Sequence, residues 1–181
     1  WVVERYKYEA LAEALPAGRA ERWLDVGCGT GRSLVGVSDL VPEGCRVLGV
    51  DVFDDRIVLG NAPELAARNA RKAGLTASAM YGDATRLPVA DDSQHVVTAC
   101  RLLHDLSREE ARETLSELQR VCAPDGAVGI LEIPVTHDGA TDPPSAYWPE
   151  LVEGAGLTTE GVREVPRRRS DGAYVVVVAH H

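Results

Sequence analysis

The sequence contains no uninterrupted apolar run that approaches the roughly 20 residues needed to cross a bilayer. Its first residues, from Trp1, lack the basic and apolar stretches of an export signal, and the absence of an initial Met suggests that part of the terminus is missing. Cysteine is sparse, with no Cys-x-x-Cys pair and no histidine at zinc-finger spacing. The pattern therefore predicts neither a disulfide framework nor a metal site, and it favours a reducing cytoplasm. The four cysteines are Cys28, Cys45, Cys100 and Cys122.

Basic residues are fewer than acidic residues in this sequence. The chain has 19 Lys and Arg against 28 Asp and Glu, which gives a formal net charge of -9. Because sequence-independent binding of nucleic acid depends on cations placed against phosphates, a nucleic-acid partner is not expected. The local exception is the run Arg167-Arg168-Arg169, which we interpret as a solvated loop between two strands.

Length and composition indicate one folded unit. A chain of 181 residues with 45% hydrophobic and 26% charged residues is large enough for a substantial core and ordinary for a folded protein. We expect a single domain over residues 1–181 that acts as a monomer or homodimer, with little room for a separate substrate domain.

Strand and helix patterns alternate along the chain, and turn residues separate them. The alternation predicts an α/β fold, a doubly wound, Rossmann-like, seven-stranded and mainly parallel sheet with an antiparallel last strand and helices on both faces. Predicted strands lie at 23–26, 46–51, 78–81, 95–99, 127–133, 158–165 and 173–179. Predicted helices lie at 2–15, 33–40, 63–72, from Ser107 to about 123, and at 148–155, and the Ser107 start has a capping-box pattern.

A glycine turn follows the first predicted strand. Gly27, Gly29 and Gly31 alternate between that strand and a helix, where glycine allows a tight bend and close approach to a ligand. Asp51 ends the second strand, 20 residues after Gly31, where a carboxylate can accept hydrogen bonds from ribose hydroxyls. A dinucleotide fingerprint would place its third glycine at the position of Arg32, so the spacing favours S-adenosylmethionine (SAM) over NAD.

Four segments in order resemble the class I SAM-dependent methyltransferases, over almost the whole chain. Residues 25–31 resemble the family's first motif, and Asp51 its ribose-binding acid. Gly82-Asp83-Ala84 resembles the segment beside adenine, and residues 118–127 resemble the passage into the fifth strand. Residues 60–64, with 69–70 and 74–75, are similar to a subgroup of short members. The resemblance implies methyl transfer from SAM, with S-adenosylhomocysteine as product.

The resemblance also implies the cofactor contacts. The glycines would pass the methionine portion of SAM, Asp25 would reach its ammonium group, and Cys28 would be a small filler. Asp51, with Val52, would hold the ribose, while Asp83 and Ala84 would hold the adenine. We expect the turn and both acids, Asp51 and Asp83, to face one nucleoside-sized cavity; the alternative for each acid alone is a helix cap or a surface turn.

The acceptor is expected near the end of the fourth strand. His104, with an ordinary pKa of about 6.5, is the candidate general base, or else it braces the loop. Arg101 is a candidate for orienting an anionic acceptor or contacting the cofactor, or else it pairs with an acid. His137, Tyr147 and Trp148 either line the acceptor pocket or pack together. The chain lacks the Asp/Asn-Pro-Pro-aromatic signature of DNA amino-methylating enzymes.

A small-molecule acceptor is therefore the leading hypothesis. Two alternatives from other classes stay open, a SAM-binding module without catalysis and an NAD-dependent oxidoreductase. The second is disfavoured by the alternating glycines and by the absence of a recognisable hydride-transfer site.

Overall fold

A computed structural model describes residues 4–54, 56 and 60–181 of the chain. Seven strands and five α-helices alternate in it, with single 3-10 turns after α1, α2 and β4. The helices are α1 (Arg5–Ala14), α2 (Arg32–Val37), α3 (Pro63–Lys72), α4 (Arg108–Val121) and α5 (Pro144–Gly154). The strands are β1 (Arg22–Val26), β2 (Arg46–Asp51), β3 (Thr76–Tyr81), β4 (Gln94–Cys100), β5 (Cys122–Glu132), β6 (Thr158–Pro166) and β7 (Ala173–His180).

The strands form one sheet in the order β3-β2-β1-β4-β5-β7-β6. Strands β1 to β5 pair in parallel, whereas β7 runs antiparallel to both β5 and β6. The predicted doubly wound sheet with an antiparallel last strand is thus confirmed. Strand order reverses between β1 and β4, and in such sheets ligands bind outside the carboxyl ends of the strands at that switch point.

Helices cover both faces of the sheet. On one face Leu11 of α1 and Leu34 of α2 share a core with Trp23 of β1. On the other face Leu115 of α4 and Trp148 of α5 pack in a second core, which contains the neighbouring β1 residue Leu24. Successive strand residues point to opposite faces, so a strand covered on both sides must be apolar throughout.

Most predicted boundaries agree with the structure within a few residues, and β5 and α5 are the main exceptions. The predicted start of the fifth strand at 127 is wrong, because β5 begins at Cys122. The start of α5 differs as well. Its predicted start at 148 is wrong, because the helix begins at Pro144, which occupies its first turn. Proline is favoured there, since its fixed φ suits a helix and its missing N–H is not needed. The predicted capping box is present: Ser107 Oγ accepts from the Glu110 amide at 3.2 Å, and Glu110 Oε2 accepts from the Ser107 amide at 2.8 Å. Of the predicted first helix, residues 2 and 3 lie outside the described residues.

Three structural observations concern membrane helices, metal sites and cysteines. Within residues 4–54, 56 and 60–181, no helix combines the length and the apolar character that a membrane crossing requires. The same residues contain no group of three or more His, Cys, Asp or Glu placed to hold a metal ion. All four cysteines are buried free thiols.

Candidate active site

The backbone between β1 and α2 adopts conformations that favour glycine at three positions. Gly27, Gly29 and Gly31 have φ of 71°, 49° and 82°, in the left-handed region that other residues rarely adopt. A Cβ at Gly31 would lie 2.9 Å from the carbonyl oxygen of Ala66 in α3. At Gly29 a Cβ would meet nothing within 4 Å, so that side of the turn faces open space. The residues 27–31 are called the glycine turn below.

Asp51 is joined directly to the glycine turn. Its Oδ2 accepts a hydrogen bond from the Gly29 amide at 2.8 Å, and its Oδ1 accepts one from the Phe53 amide at 2.7 Å. A carboxylate oxygen has two lone pairs, so each oxygen keeps one for an added donor such as a ribose hydroxyl. Val52, predicted to lie beside the ribose, is 57% exposed.

Asp83 lies at the neighbouring strand end. The Gly82 amide donates to the Asp51 carbonyl oxygen at 3.0 Å, which fixes this loop beside β2. Asp83 Oδ1 accepts from the amide and hydroxyl of Thr85, at 2.9 and 2.8 Å, while Oδ2 accepts no hydrogen bond from any part of the chain that is described. Asp83 is exposed and Ala84 is half-buried. The acid is therefore held in a turn with one oxygen available to a ligand.

A cavity of about 700 Å³ opens beside the glycine turn, a volume typical of small-molecule sites. We call it the turn cavity. Besides the turn itself, its walls include Tyr8 of α1 and Asn69 of α3, and Arg101 after β4. Asn69 Nδ2 donates to the carbonyl oxygen of Thr30 at 2.9 Å and so holds the turn against α3. The walls of the cavity therefore come from α1, α2, α3 and the switch point.

The expectation that the turn and both acids share one cavity is wrong in that form. Neither Asp51 nor Asp83 lines the turn cavity. Both carboxylates lie at adjacent carboxyl ends of parallel strands, and Asp51 reaches the turn through the Gly29 amide. The site thus has two parts, the turn cavity and the neighbouring surface that carries the two acids.

Asp25 lies inside the protein, beneath the turn. It is 1% exposed, and its carboxylate accepts hydrogen bonds from Ser33 of α2 and, at 2.7 Å, from Thr98 of β4. Burial raises the pKa of Asp25 to about 6, although both hydroxyl donors oppose the rise. The side chain ties β1 to α2 and β4, and its predicted contact with a ligand ammonium stays a prediction.

Cys28 packs as a small residue. It is 3% exposed, and burial raises the pKa of its thiol, so the sulfur stays protonated. A Cβ at Gly49 of β2 would lie only 2.7 Å from its Sγ, so this glycine makes room for the sulfur. These contacts support the predicted filler role.

Arg101 stands at the switch point with φ of 59°, an uncommon conformation for a residue other than glycine. Its amide donates to the carbonyl oxygen of Leu131 in β5 at 2.7 Å, which fixes the backbone there. The exposed side chain lines the turn cavity. Its predicted roles toward cofactor and acceptor are compatible with this place and stay predictions.

His104 forms a buried pair with Glu132, the last residue of β5. Its Nδ1 lies 2.6 Å from Glu132 Oε2, while Glu132 Oε1 accepts from the amides of Leu102 and Leu103 at 3.0 and 2.7 Å. Partial burial lowers the pKa of His104, but the hydrogen bond and the charge of Glu132 outweigh it, so the pKa is raised above 6.5. Glu132 is 0% exposed and so holds the ring in one orientation.

Sequence reasoning missed Glu132. A signal was available, because residues 127–131 of β5 are apolar and an acid follows them, and β4 and β5 are consecutive parallel strands. Their carboxyl ends must therefore meet at one edge of the sheet, next to His104.

The aromatic segment before and within α5 packs internally. His137 Nδ1 lies 2.6 Å from the Tyr147 hydroxyl, and Trp148 Nε1 donates to the carbonyl oxygen of Val135 at 3.1 Å. Tyr147 and Trp148 are 3% and 0% exposed. Of the two alternatives for these residues, packing is the one that the structure shows.

The interpretation of residues 167–169 as a solvated loop is confirmed, because they connect β6 and β7 and both Arg168 and Arg169 are exposed. The guanidinium of Arg168 lies 4.2 Å from the ring centre of Tyr6 in α1, and Arg169 Nε lies 3.7 Å from a carboxylate oxygen of Glu4. The β6–β7 connection is a hairpin, so it returns to the sheet edge that α1 covers. Arg168 therefore contacts α1, and Arg169 lies beside the residue that precedes this helix.

Residues 24–126 match the family model described as methyltransferase domain. A demethylmenaquinone methyltransferase of Beutenbergia cavernae is 34% identical over 132 residues, 72% of this chain and 48% of that protein. An O-methyltransferase of Pyrenophora dematioidea is 28% identical over 155 residues, 85% of this chain and 54% of that protein. The chain thus spans about half the length of these curated relatives.

Solved structures show the same fold. A SAM dependent methyltransferase from Aquifex aeolicus aligns with a TM-score of 0.71 at 24% identity, covering 96% of this chain and 88% of that one. A geranyl diphosphate methyltransferase in complex with SAM aligns with a TM-score of 0.71 at 15% identity, covering 98% and 85%. At these identities the likeness concerns architecture.

Proposed function

The chain belongs to the methyltransferase domain family, as its resemblance to class I SAM-dependent methyltransferases predicted, and from this premise we propose that it transfers a methyl group from SAM to a small-molecule acceptor. One observation carries the proposal: the amide of Gly29 in the glycine turn donates to the ribose-binding candidate Asp51, beside a cavity of about 700 Å³ at the switch point. A turn that merely closed a strand onto a helix would need neither the acid nor the open space.

The residues present fit SAM. The open side of Gly29 leaves room for the amino-acid portion in the turn cavity, the free lone pairs of Asp51 suit the ribose hydroxyls, and Oδ2 of Asp83 suits the adenine amino group. SAM would supply an electrophilic methyl group bonded to a positively charged sulfur. A lone pair of the acceptor would form the new bond to the methyl carbon, and the carbon–sulfur bond would break to leave a neutral thioether. The product is S-adenosylhomocysteine.

In this proposal His104 accepts the proton that a hydroxyl acceptor loses. The Glu132 carboxylate accepts from Nδ1, which leaves Nε2 as the basic nitrogen and raises the pKa of the ring. Because alignment supplies much of the catalysis in a displacement, the base accelerates a reaction that positioning already favours. The names of the relatives support a small-molecule acceptor, and one of them is an O-methyltransferase.

The proposal also covers domain organisation, oligomeric state, localisation and partners. We propose a single domain, monomeric or homodimeric and cytoplasmic, without a nucleic-acid partner. The four free thiols suit a reducing compartment. The net charge of -9 opposes sequence-independent attachment to phosphate backbones.

The test is acceptor-dependent turnover. Purified protein is incubated with SAM and a panel of small phenols, alcohols and hydroxy acids, and S-adenosylhomocysteine is measured by chromatography. We expect at least one acceptor to raise its formation well above the acceptor-free rate. Binding of SAM without turnover across the panel would favour the non-catalytic module, and hydride transfer with NAD would favour the oxidoreductase.

A further inference from the structure

A second cavity, of about 450 Å³, adjoins the turn cavity. The two share Tyr8, Arg32 and Arg101 in their walls. We call the second one the arginine cavity, since its walls come from α1, the start of α2, the end of β4 and the β6–β7 hairpin. A molecule bound there therefore lies beside the proposed methyl donor.

The walls of the arginine cavity are strongly basic, although the whole chain has a net charge of -9. In the part of the chain that the structure describes, Glu4 is the one acidic residue of this lining. Six basic side chains share it: Lys7, Arg32, Arg101, Arg167, Arg168 and Arg169. A concave wall of one charge concentrates ions of the opposite charge, so the cavity attracts anions.

Glu4 does not neutralise this wall. Its carboxylate is engaged by Lys7 Nζ at 3.1 Å and lies 3.7 Å from Arg169 Nε. Lys7 is 4% exposed and also donates to the Tyr174 hydroxyl at 3.0 Å. The Glu4 carboxylate therefore pairs with cations of the cavity wall itself. Two further arginines of the hairpin therefore keep charges that this carboxylate does not balance.

Those two arginines are held by aromatic rings. Arg168 lies 4.2 Å from the ring centre of Tyr6, and Arg167 lies 5.6 Å from that of Tyr174. A ring fixes the guanidinium plane and leaves its N–H groups for oxygen acceptors. The Nε of Arg167 is buried without a hydrogen-bond partner in residues 4–54, 56 and 60–181. Such an unmet donor is costly, and an oxygen of a ligand would satisfy it.

Resting on the proposed methyltransferase function, we propose that the acceptor is an anionic small molecule. Its carboxylate or phosphate group binds Arg167 and Arg168 in the arginine cavity, and its nucleophilic atom points past Tyr8 and Arg101 toward the turn cavity. Both anions match the planar fork of a guanidinium. The specificity-determining part of the acceptor site thus comes from the β6–β7 hairpin and α1, and the α5 segment takes no part.

Calorimetric titration tests this proposal with probes that need no knowledge of the acceptor. Malonate and inorganic pyrophosphate are titrated separately into protein saturated with S-adenosylhomocysteine at low salt, and the two arms distinguish carboxylate from phosphate. We expect saturable 1:1 binding of at least one anion. The double variant Arg167→Ala/Arg168→Ala should weaken it at least about tenfold, because charge-assisted hydrogen bonds are lost.

Arg163→Ala is the matched control. Arg163 lies on β6, the strand before the hairpin loop, outside both cavities, and its NH1 lies 3.5 Å from a carboxylate oxygen of Glu13. The Arg163→Ala variant should bind the anions with the same affinity as the wild type. The affinity for S-adenosylhomocysteine, expected to be unchanged in every variant, reports on folding, and the single exposed Arg168→Gln replaces the double variant if that one is unstable.

Two results would overturn the anionic-acceptor proposal while leaving the proposed function intact: neither anion binds although S-adenosylhomocysteine does, or the arginine variants bind anions as tightly as the wild type. Failure of S-adenosylhomocysteine itself to bind would count against the methyltransferase proposal.

Discussion

Gly29 combines two requirements that other residues cannot meet together. Its φ of 49° lies in the left-handed region, and its amide must point at Asp51 while its α-carbon faces open space. A β-branched residue is strongly disfavoured at such a φ, and its side chain would enter that open space.

We therefore expect Gly29→Val to abolish binding of S-adenosylhomocysteine in calorimetry. The matched control is Gly18→Val, because a Cβ at Gly18 also meets nothing within 4 Å but its φ is not positive. That variant should bind normally. Normal affinity in Gly29→Val, with its circular dichroism unchanged, would separate the turn from cofactor binding.

The His104–Glu132 pair makes a prediction about pH. Only neutral His104 can accept a proton, and its pKa is raised above 6.5, so kcat/KM should fall as pH drops through that raised pKa. His104→Ala should lower kcat about 100-fold and leave the affinity for S-adenosylhomocysteine unchanged. The rate is measured across pH 5 to 9 with the acceptor found in the turnover screen.

Glu132→Gln isolates the positioning role of the acid. Removing the carboxylate removes the hydrogen bond and the charge of Glu132 that raise the pKa of His104, while the smaller effect of Asp105 remains, so the acidic limb of the profile should move to lower pH. If Glu132 were merely structural, the limb would stay where it is in the wild type while the protein lost stability.

Asp25 predicts how stability depends on pH. Its pKa is about 6 in the folded protein and about 3.9 in an unfolded chain, so the folded state binds the proton more tightly. Stability is therefore lost as pH rises between these values, by about 3 kcal/mol in total. Asp25→Asn removes the group that titrates, so only the wild type loses stability from this source as pH rises. The free energy of unfolding of the variant minus that of the wild type should therefore increase by about 1 to 2 kcal/mol from pH 5 to pH 8.

Urea unfolding at several pH values measures this difference. Asp125→Asn, at an exposed position at the opposite edge of the sheet, should show a difference from the wild type that is flat with pH. A flat profile for Asp25→Asn as well would mean that the buried carboxyl does not titrate in this range.

At the residue scale, prediction from sequence succeeded where one local segment carries the information. The turn glycines and Asp51 lie in short motifs, and the structure joins them by the hydrogen bond between the Gly29 amide and Asp51. The contacts of Glu132 and Arg168 were not predicted, because their partners, His104 and Tyr6, lie 28 and 162 residues away in the sequence. Spacing within a motif cannot show such contacts.

At the element scale, the start of α4 offers a clean measurement. Both hydrogen bonds of the capping box are present between Ser107 and Glu110. Ser107→Ala should lower the free energy of unfolding by about 1 kcal/mol, since the cap satisfies an amide that the helix cannot. Ser116→Ala in the same helix, whose Oγ bonds only the carbonyl oxygen of Arg112, should change it little. Equal effects from the two serines in urea unfolding would contradict the capping account.

The elements could be predicted because their burial is regular. The run Val175 to Val178 is buried throughout and reads as a strand from composition alone. The start of α5 could not be predicted this way, because Pro143-Pro144 breaks helical periodicity although Pro144 suits a first turn. The contact of the β6–β7 connection with α1 could not be predicted either, because it joins segments that are distant in the sequence.

At the scale of the whole molecule, the sheet gathers the site from distant segments. The carboxyl ends of β1, β2, β4 and β5 lie along one edge, which brings the glycine turn, Asp51, Arg101 and Glu132 together. Charge is distributed unevenly as well: a chain of net charge -9 concentrates six basic residues around one cavity beside that edge. This separation favours a small anion at the site over a polyanion on the surface.

Binding of S-adenosylhomocysteine compared with NAD, measured by isothermal titration calorimetry on the same preparation, tests the central claim most directly. The account predicts saturable 1:1 binding of S-adenosylhomocysteine and at least about 100-fold weaker binding of NAD, a difference of about 2.7 kcal/mol. Tighter binding of NAD, or no heat from S-adenosylhomocysteine, would contradict it.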